Sequence, residues 1–306
     1  MTQPGGGIQL FNRSSTVTVG PVSISNIGQE LGLDVWFNVK RSLRPKQPNT
    51  ADIRLYNLAD ARRKAIEAAA QPFPASVGPP VKPGEPRGTY TPVSIVAGYV
   101  GSTEEIFFGE MRTAQTVIDG PDTVLEMTTG DGDTATILSR ISFSFGAGIN
   151  AYVVAQKLCS SMGLGVGNIA TVAAQLRSSP AYKSGVVLKG NPMHHLVDLA
   201  KSCGLEVSVH KGVAQWQVLG QPLGGQAYVI SADTGMIGSP SVDTAGNLNF
   251  ECLLIPGIKP GASVQMQATY VTGTYRIISV ETTGDTSGND WKHSVEARRP
   301  GTGLGS

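Results

Sequence analysis

Residues 253–297 read LLIPGIKPGASVQMQATYVTGTYRIISVETTGDTSGNDWKHSVEA, and this stretch decides the fold class. An apolar run, Leu248 to Leu254, breaks at a turn cluster of Pro256, Gly257, Pro260 and Gly261. Ser263 to Thr269 then reads as a strand, and Tyr275 to Thr282 as another, entered from a tight turn at Gly273. Gly284, Asp285, Ser287 and Gly288 form a hairpin loop, and Trp291 begins a return strand that lasts to Ala297. Short β-rich runs punctuated by Gly, Pro, Asp and Ser are the pattern of an antiparallel barrel or sandwich.

The same pattern fills the first part of the chain. Leu33 to Val39 (LDVWFNV) is β-rich, and Ala51 to Leu58 (ADIRLYNL) alternates, with Ile53 and Leu55 on one face and Arg54 and Tyr56 on the other. A short helix follows over Arg62 to Ala70, with Asn57 placed to cap it and Pro72 to stop it. Residues 71–88 (QPFPASVGPPVKPGEPRG) carry too many prolines for a regular element and read as a loop or an extended arm. Strands resume at Tyr90 to Val100, Glu105 to Arg112 and Thr123 to Thr129, and in the last third Tyr228 to Ser231 joins those already described.

The middle changes period. Asn150 to Met162 repeats its apolar residues at helical spacing, with Ala151, Val154, Leu158 and Met162 in one stripe. Asn191 caps a second helix that has Pro192 in first position, a stripe of Met193, Leu196, Val197, Ala200 and Cys203, and Gly204 at its end. SMGLGV (161–166) and SCGLEV (202–207) echo one another, each at a helix exit into a possible strand. A small α/β unit is therefore expected over 140–225.

The 306 residues suffice for two or three domains. The balance of 24 basic and 23 acidic residues lacks the basic excess of a protein that binds nucleic acid through its phosphates. Cys159, Cys203 and Cys252 are too few and too scattered for a disulfide framework, and fit folding in a reducing cytosol. MTQPGGGIQL has no charged segment followed by an apolar one, and no apolar run approaches the length of a membrane span. The expectation is a chain without secretory export or membrane insertion of its own.

Catalytic and metal motifs fail one by one. Gly163, Gly165 and Gly167 follow a helix, where a dinucleotide loop must follow a strand, and Gly301, Gly303 and Gly305 lie at the terminus. Asp131 and Asp133 lack the further ligands of a calcium loop, so a solvated turn is expected there. His194 and His195 are adjacent on a helix and diverge, which leaves one on the surface and one partly buried. His210 and His293 have no ligand spacing around them, and there is no Gly-x-Ser-x-Gly elbow. No catalytic residue, cofactor site or metal site is assigned.

Three stretches carry a family resemblance: ADIRLYNLADARRKAI (51–66), VSIVAGYVGSTEEIFFGEM (93–111) and the closing run 253–297. In order and spacing they resemble the baseplate hub proteins of contractile-tailed phages, a group that includes the T4-like hub and the Mu-like tail protein D. The resemblance implies an α+β, mainly β fold: two tail-tube-like antiparallel β-barrels with a small α/β domain between them. The matching boundaries are 1–139 with a proline-rich insertion at 71–88, 140–225, and 226–306. It implies a homotrimer whose six barrels give pseudo-sixfold symmetry. Such a ring adapts the tail-tube proteins above to a threefold spike protein below, beside other baseplate proteins, with DNA and the tape-measure protein passing through the lumen. It also implies a place in the virion tail baseplate after assembly in the host bacterial cytoplasm.

The expected contacts are loops: Pro79, Pro80 and Pro83 for neighbours, and Pro256, Lys259 and Pro260 with Asp285, Asn289 and Asp290 for ring or spike. Two other classes compete. One is a tail-associated cell-wall-degrading enzyme, which needs converging carboxylates or a metal. The other is a tail-tube or adhesin-like binding protein, which needs one barrel or exposed aromatic platforms. The insertion at 71–88 has no counterpart in the family pattern, and residues 8–40 follow it less closely.

Overall fold

The computed structural model describes residues 12–27, 33–44, 48–70, 91–131, 139–178 and 184–301. Pro79, Pro80, Pro83 and Asp133 lie outside the described residues.

The first part contributes β1 (Arg13–Val19), β2 (Val22–Ile27), β3 (Val35–Ser42), β4 (Thr50–Tyr56), helix α1 (Asp60–Ala69), β5 (Pro92–Tyr99), β6 (Ser102–Asp119) and β7 (Asp122–Gly130). The middle contributes β8 (Ile141–Phe145), α2 (Ala151–Ser161), a 3-10 turn at Ile169–Val172, α3 (Ala173–Ser178), β9 (Val186–Gly190), α4 (Pro192–Ser202), β10 (Leu205–His210) and β11 (Val213–Val218). The last part contributes β12 (Tyr228–Ile230), a 3-10 turn at Ala232–Thr234, β13 (Met236–Val242), β14 (Leu248–Leu253), β15 (Ser263–Gln267), β16 (Thr272–Asp285) and β17 (Trp291–Arg298). The fold is mostly β with few helices, as the sequence implies.

Thirteen strands form one sheet in the order β2-β1-β5-β6-β7-β4-β3-β16-β17-β14-β13, with β15 on β16 and β12 beside β15. The pairs β10–β11 and β8–β9 stand apart from it. Among the described residues these pairings leave β2, β12 and β13 as edges and close no barrel.

Burial follows strand parity. In β4, Ala51, Ile53 and Leu55 point inward while Asp52, Arg54 and Tyr56 point outward, the expected alternation. Three apolar clusters result. One is built from β1–β7 and α1, one from β8–β11 with the helices, and one from β12 and β14–β17. The helical stripes sit in the second cluster, although Leu199 of α4 is buried where Val197 is only partly so.

The first and third clusters share strands. β16 puts Tyr275, Ile277 and Val280 into the third, while Trp291, across the hairpin from Gly284, belongs to the first. Gly284 lies opposite Phe37 of β3, and a methyl group there would collide with the Phe37 ring. The missing side chain lets that ring lie flat across the strand and meet Trp291 edge-on, with centroids 5.6 Å apart. Trp291 Nε1 then donates to Gly98 O at 3.2 Å, fastening the last hairpin to β5.

Some local readings need correction. Asn57 does not cap α1. Its backbone is left-handed (φ 54°), its Nδ2 donates to Asp122 Oδ1 at 2.8 Å, and its Oδ1 accepts from Thr123 N at 3.1 Å. Its polar groups tie the β4 exit to the β6–β7 hairpin, and the helix starts from Ala59 without a side-chain cap. The SMGLGV exit leads to a single parallel bridge, Gly165 to Val213, whereas SCGLEV does lead into a strand, β10. Asn150 and Asn191 cap α2 and α4, each accepting at 2.8 Å from the N–H two residues on.

Truncating the shared aromatic contact tests this architecture. Trp291→Ala removes a buried indole and its hydrogen bond, and is expected to lower the unfolding free energy by about 3–5 kcal/mol. Gly284→Val is expected to destabilise by a similar or larger amount, while Arg62→Ala on the exposed face of α1 stays near wild type. Urea unfolding curves check this; a Trp291→Ala midpoint equal to wild type contradicts it.

Candidate functional site

The outward face of the central strands is polar and continuous across the β3–β16 junction. The register sets out four cross-strand rows. Thr50, Lys40, Glu281, Ser294 and Glu251 make one, and Asp52, Asn38, Thr283, Lys292 and Leu253 the next. Ser42, Ser279, Glu296 and Asn249 make a third, and Gln115, Glu126, Arg54, Trp36 and Asp285 a fourth.

Within these rows the residues bond to one another. Lys40 Nζ lies 3.5 Å from Glu281, whose Oε1 also accepts from Asn38 Nδ2 at 2.8 Å. Lys292 Nζ donates to Glu251 at 3.1 Å, and Arg54 Nε to Glu126 at 3.1 Å with its guanidinium 5.0 Å from the Trp36 ring. Arg44, beyond the end of β3, reaches Glu296 at 2.6 Å. Exposed pairs of this kind contribute at most about 1 kcal/mol each, so their main effect is on the potential. The rows hold six carboxylates (Asp52, Glu126, Glu251, Glu281, Asp285, Glu296) against three basic residues (Lys40, Arg54, Lys292). The face is thus acidic on a chain whose net charge is +1. A concavity of about 870 Å³ lies on it, lined by Lys40, Thr50, Glu251, Glu281 and Glu296 among others.

The structure places both predicted contact loops close to other parts of the chain. Asp285 N donates to Asp290 O at 2.7 Å, and the Asp285 carboxylate accepts from Ser287 N and Gly288 N at 3.0 and 2.7 Å. Arg13 of β1 donates to the carbonyls of Asp285, Gly288 and Asn289 and stacks 5.6 Å from Trp291, so this loop is held against the first strand. The 256–261 loop runs between the β units. Glu104 accepts from Gly257 N, and the buried Arg41 donates to Ile258 O at 3.0 Å. Pro260 is buried, Lys259 is exposed, and Pro256 lies between these extremes.

Asp131 corrects an expectation. It is not a solvated turn residue but 5 % exposed, and its carboxylate accepts from Asn49 Nδ2, Lys211 N and Gly212 N at 3.0, 2.8 and 3.1 Å. Lys211 and Gly212, both with positive φ, form the two-residue turn between β10 and β11. The end of β7 thereby grips the tip of the α/β unit, and Lys211 Nζ adds a 2.8 Å pair to Glu105. Burial holds the Asp131 carboxyl above its usual range, against the three N–H donors. A second link is the buried ion pair between Arg276 of β16 and Glu206 of β10.

Two histidines sit in these joints, His293 buried and His210 half-buried. His293 accepts at Nδ1 from Thr282 Oγ1 (2.9 Å) and donates from Nε2 to Ile255 O (3.2 Å), the pattern of a neutral ring. Burial and then the Arg41 charge push its pKa down to about 3. His210 is pushed down to about 4 by burial and then by Arg41, Lys259 and Lys211. His194 is exposed and His195 partly buried, with Nε2 of His195 2.9 Å from Lys189 O. Among the described residues no group of His, Cys, Asp and Glu could hold a metal ion, and no helix is long and apolar enough to cross a membrane.

Over residues 16–281 the chain matches the family described as Baseplate hub gp41. No curated protein matches it in sequence. Its fold is similar to the 43 kDa tail protein of prophage MuSo2 from Shewanella oneidensis, at 11 % identity and a TM-score of 0.62, with 94 % of this chain and 98 % of that one covered. A tail protein from Neisseria meningitidis MC58 is similar at 9 % identity and a TM-score of 0.62, covering 96 % and 98 % of the two chains. So is the E. coli c3393 protein, a type VI secretion component described as structurally similar to the T4 tail proteins gp27 and gp5, at 11 % identity and a TM-score of 0.56 over 95 % and 79 %.

His293 and His210 set a pH dependence. Each is neutral when folded and protonates more readily when unfolded, so each contributes stability that is complete above about pH 6.5 and is lost as pH falls toward 4 for His210 and 3 for His293. Asp131 acts in the opposite sense, because its native pKa is raised. Urea titrations from pH 7.5 to 4 are expected to show a steady fall, and His293→Gln is expected to flatten that slope while lowering stability at pH 7.5. An unchanged slope in the variant contradicts the assignment.

Proposed function

The chain belongs to the baseplate hub gp41 family, and from that premise we propose that it is the structural hub of a contractile tail, a trimeric adapter between a sixfold tube and a threefold spike. The observation that carries this reading is the sheet shared by two β units, joined where β3 pairs with β16. Each chain then supplies two tube-like, barrel-like halves, about 1–139 and 226–306, and three chains supply six. The α/β unit at about 140–225 has its own apolar cluster and is fastened to both halves, through Asp131 and through Arg276–Glu206. Its role is to brace them.

In this reading the polar face of the shared sheet lines the conduit for DNA and the tape-measure protein. A polyanion moving past needs a wall that does not bind phosphate, and the carboxylate excess supplies one. The tube, the spike and other baseplate proteins meet the rims of the ring. The chain acts by holding shape, without catalysis, in the tail baseplate of a virion assembled in the host cytoplasm.

Two measurements test it. Native mass spectrometry of the hub released from tails, or imaging of the tail tip, is expected to show three copies; one or six copies, or cell-wall hydrolysis by the purified monomer, sinks the reading. The double variant Glu251→Lys, Glu281→Lys reverses the face at two half-exposed positions. Particles carrying it are expected to assemble but to eject DNA several-fold more slowly, with the defect relieved by added salt. Wild-type ejection at low salt contradicts a conduit role for this face.

A further inference from the structure

The two β units repeat one strand plan. β3-β4-β7-β6-β5 in the first and β13-β14-β17-β16-β15 in the second stand in the same spatial order. Their registers agree as well. β6 carries one extra residue against β7 between Met111 and Thr113, and β16 carries one against β17 between Ile277 and Ser279. Met111 therefore corresponds to Ile277, and Thr113–Asp119 to Ser279–Asp285. On the far side of β7 and β17, Ile53 and Leu55 of β4 correspond to Phe250 and Cys252 of β14, and all four are buried.

Within one chain this plan completes one joint. The second half of β16 pairs with β17 on one side and with β3 on the other. The second half of β6 pairs with β7 on one side, and no strand lies along its other edge among the described residues. β13, the counterpart of β3, pairs with β14 and is an edge of the sheet. Each chain thus carries at its flanks the two halves of the joint it makes at its centre. Open edges of this kind recruit further strands. They also hold apolar side chains in water, with Ile118 78 % exposed and Val242 52 %. Val242 corresponds to Val39, which is fully buried where β3 meets β16. Side-chain sizes are complementary too. At the centre, Phe37 of β3 meets Gly284 of β16. At the flanks the sizes are exchanged: Ile118 stands at the Gly284 position, and a bulge of Gly238, Ser239 and Pro240 at the Phe37 position. Pro240, which lacks an N–H, falls inside that bulge, where the ladder is already interrupted.

We propose that the second half of β6 in one copy pairs antiparallel with β13 of a second copy, repeating the β3–β16 joint between chains. The register carried over from the central joint sets Thr116 opposite Val242 and Val117 opposite Ser241. Ile118 then lies over the small residues of the bulge, and Val242 is covered as Val39 is. The two surfaces differ, so the contact is head-to-tail, and copies add in one rotational sense until the ring closes. Closure at three copies rests on the hub reading, whereas the joint itself rests on the strand registers.

Paired cysteines in assembled tails test the joint. Directly opposite residues of antiparallel strands lie within disulfide reach. Val117→Cys combined with Ser241→Cys, both exposed positions, is expected to give a covalent trimer on a non-reducing gel after mild oxidation. Each single variant is expected to run as a monomer. Ile118→Lys and Val242→Lys are expected to leave the unfolding curve of the chain at wild type and to lower the trimer population at least tenfold in native mass spectrometry. Three copies per tail without a cross-link in the double variant overturn the joint and leave the hub reading standing. Wild-type trimer levels in both lysine variants overturn it as well. A cross-linked ladder that runs beyond three copies upholds the joint and overturns the hub ring.

Discussion

Where β16 lies against β3, residues 279–285 pair with residues 36–42 across nearly the whole length of the chain. Each unit on either side has its own apolar cluster, and without this pairing the two would meet mainly through loops and the Trp291 contact. The pairing makes one sheet of them, and Gly284 is what lets it lie close, because Phe37 occupies the space a side chain would fill. Trp291 then seals the joint against β5. A contact between such distant segments is late and slow to form, since loop-closure entropy opposes it until the local hairpins exist. The strands flanking it are local hairpins, β3–β4 on one side and β16–β17 on the other, so each partner can be preformed before the two halves meet.

The buried polar groups are concentrated at the joints between clusters. Arg276–Glu206, Asp131 with the β10–β11 turn, and Arg41 with Ile258 each link one unit to another. A buried ion pair adds little net stability, because desolvation offsets its attraction, but a misaligned docking would strand both charges. The apolar clusters therefore account for cohesion within each unit, and the polar joints restrict how the units sit on one another. His293 shows the same division: it contributes two hydrogen bonds at the edge of the third cluster, and burial beside Arg41 keeps it neutral there.

Much of this was legible in the sequence where information is local. The alternation in Ala51 to Leu58, the Asn150 and Asn191 caps and the final hairpin all appear as written, because strand parity, capping and turn chemistry each act over a few residues. β13 is not legible in the sequence because Met236–Val242 is largely exposed on both faces and carries Pro240, so it shows no alternation. The roles of Asp131 and Asn57 are not legible locally, because their partners, Lys211 and Gly212 for one and Asp122 and Thr123 for the other, are remote in sequence. The acidic face is half visible: Asp52 and Arg54 stand at alternate positions in β4, but only strand order sets them beside Lys40, Glu281 and Lys292.

Under the proposed conduit role, that face also reconciles a near-neutral composition with a wall that meets a polyanion. At physiological salt the potential of a charge fades over about 8 Å, so what a passing phosphate meets is the local row and not the net charge of the chain. The three basic residues in the rows are each held by a neighbouring carboxylate: Lys40 by Glu281, Arg54 by Glu126, Lys292 by Glu251. To bind a phosphate, any of them would have to leave that partner, and the carboxylate left behind would repel the incoming charge. Asp52 and Asp285 remain as further negative charges on the same rows. The pairs therefore contribute little to folding but keep the cations occupied, and a sheet that spans both halves of the chain extends this property without a break across the junction.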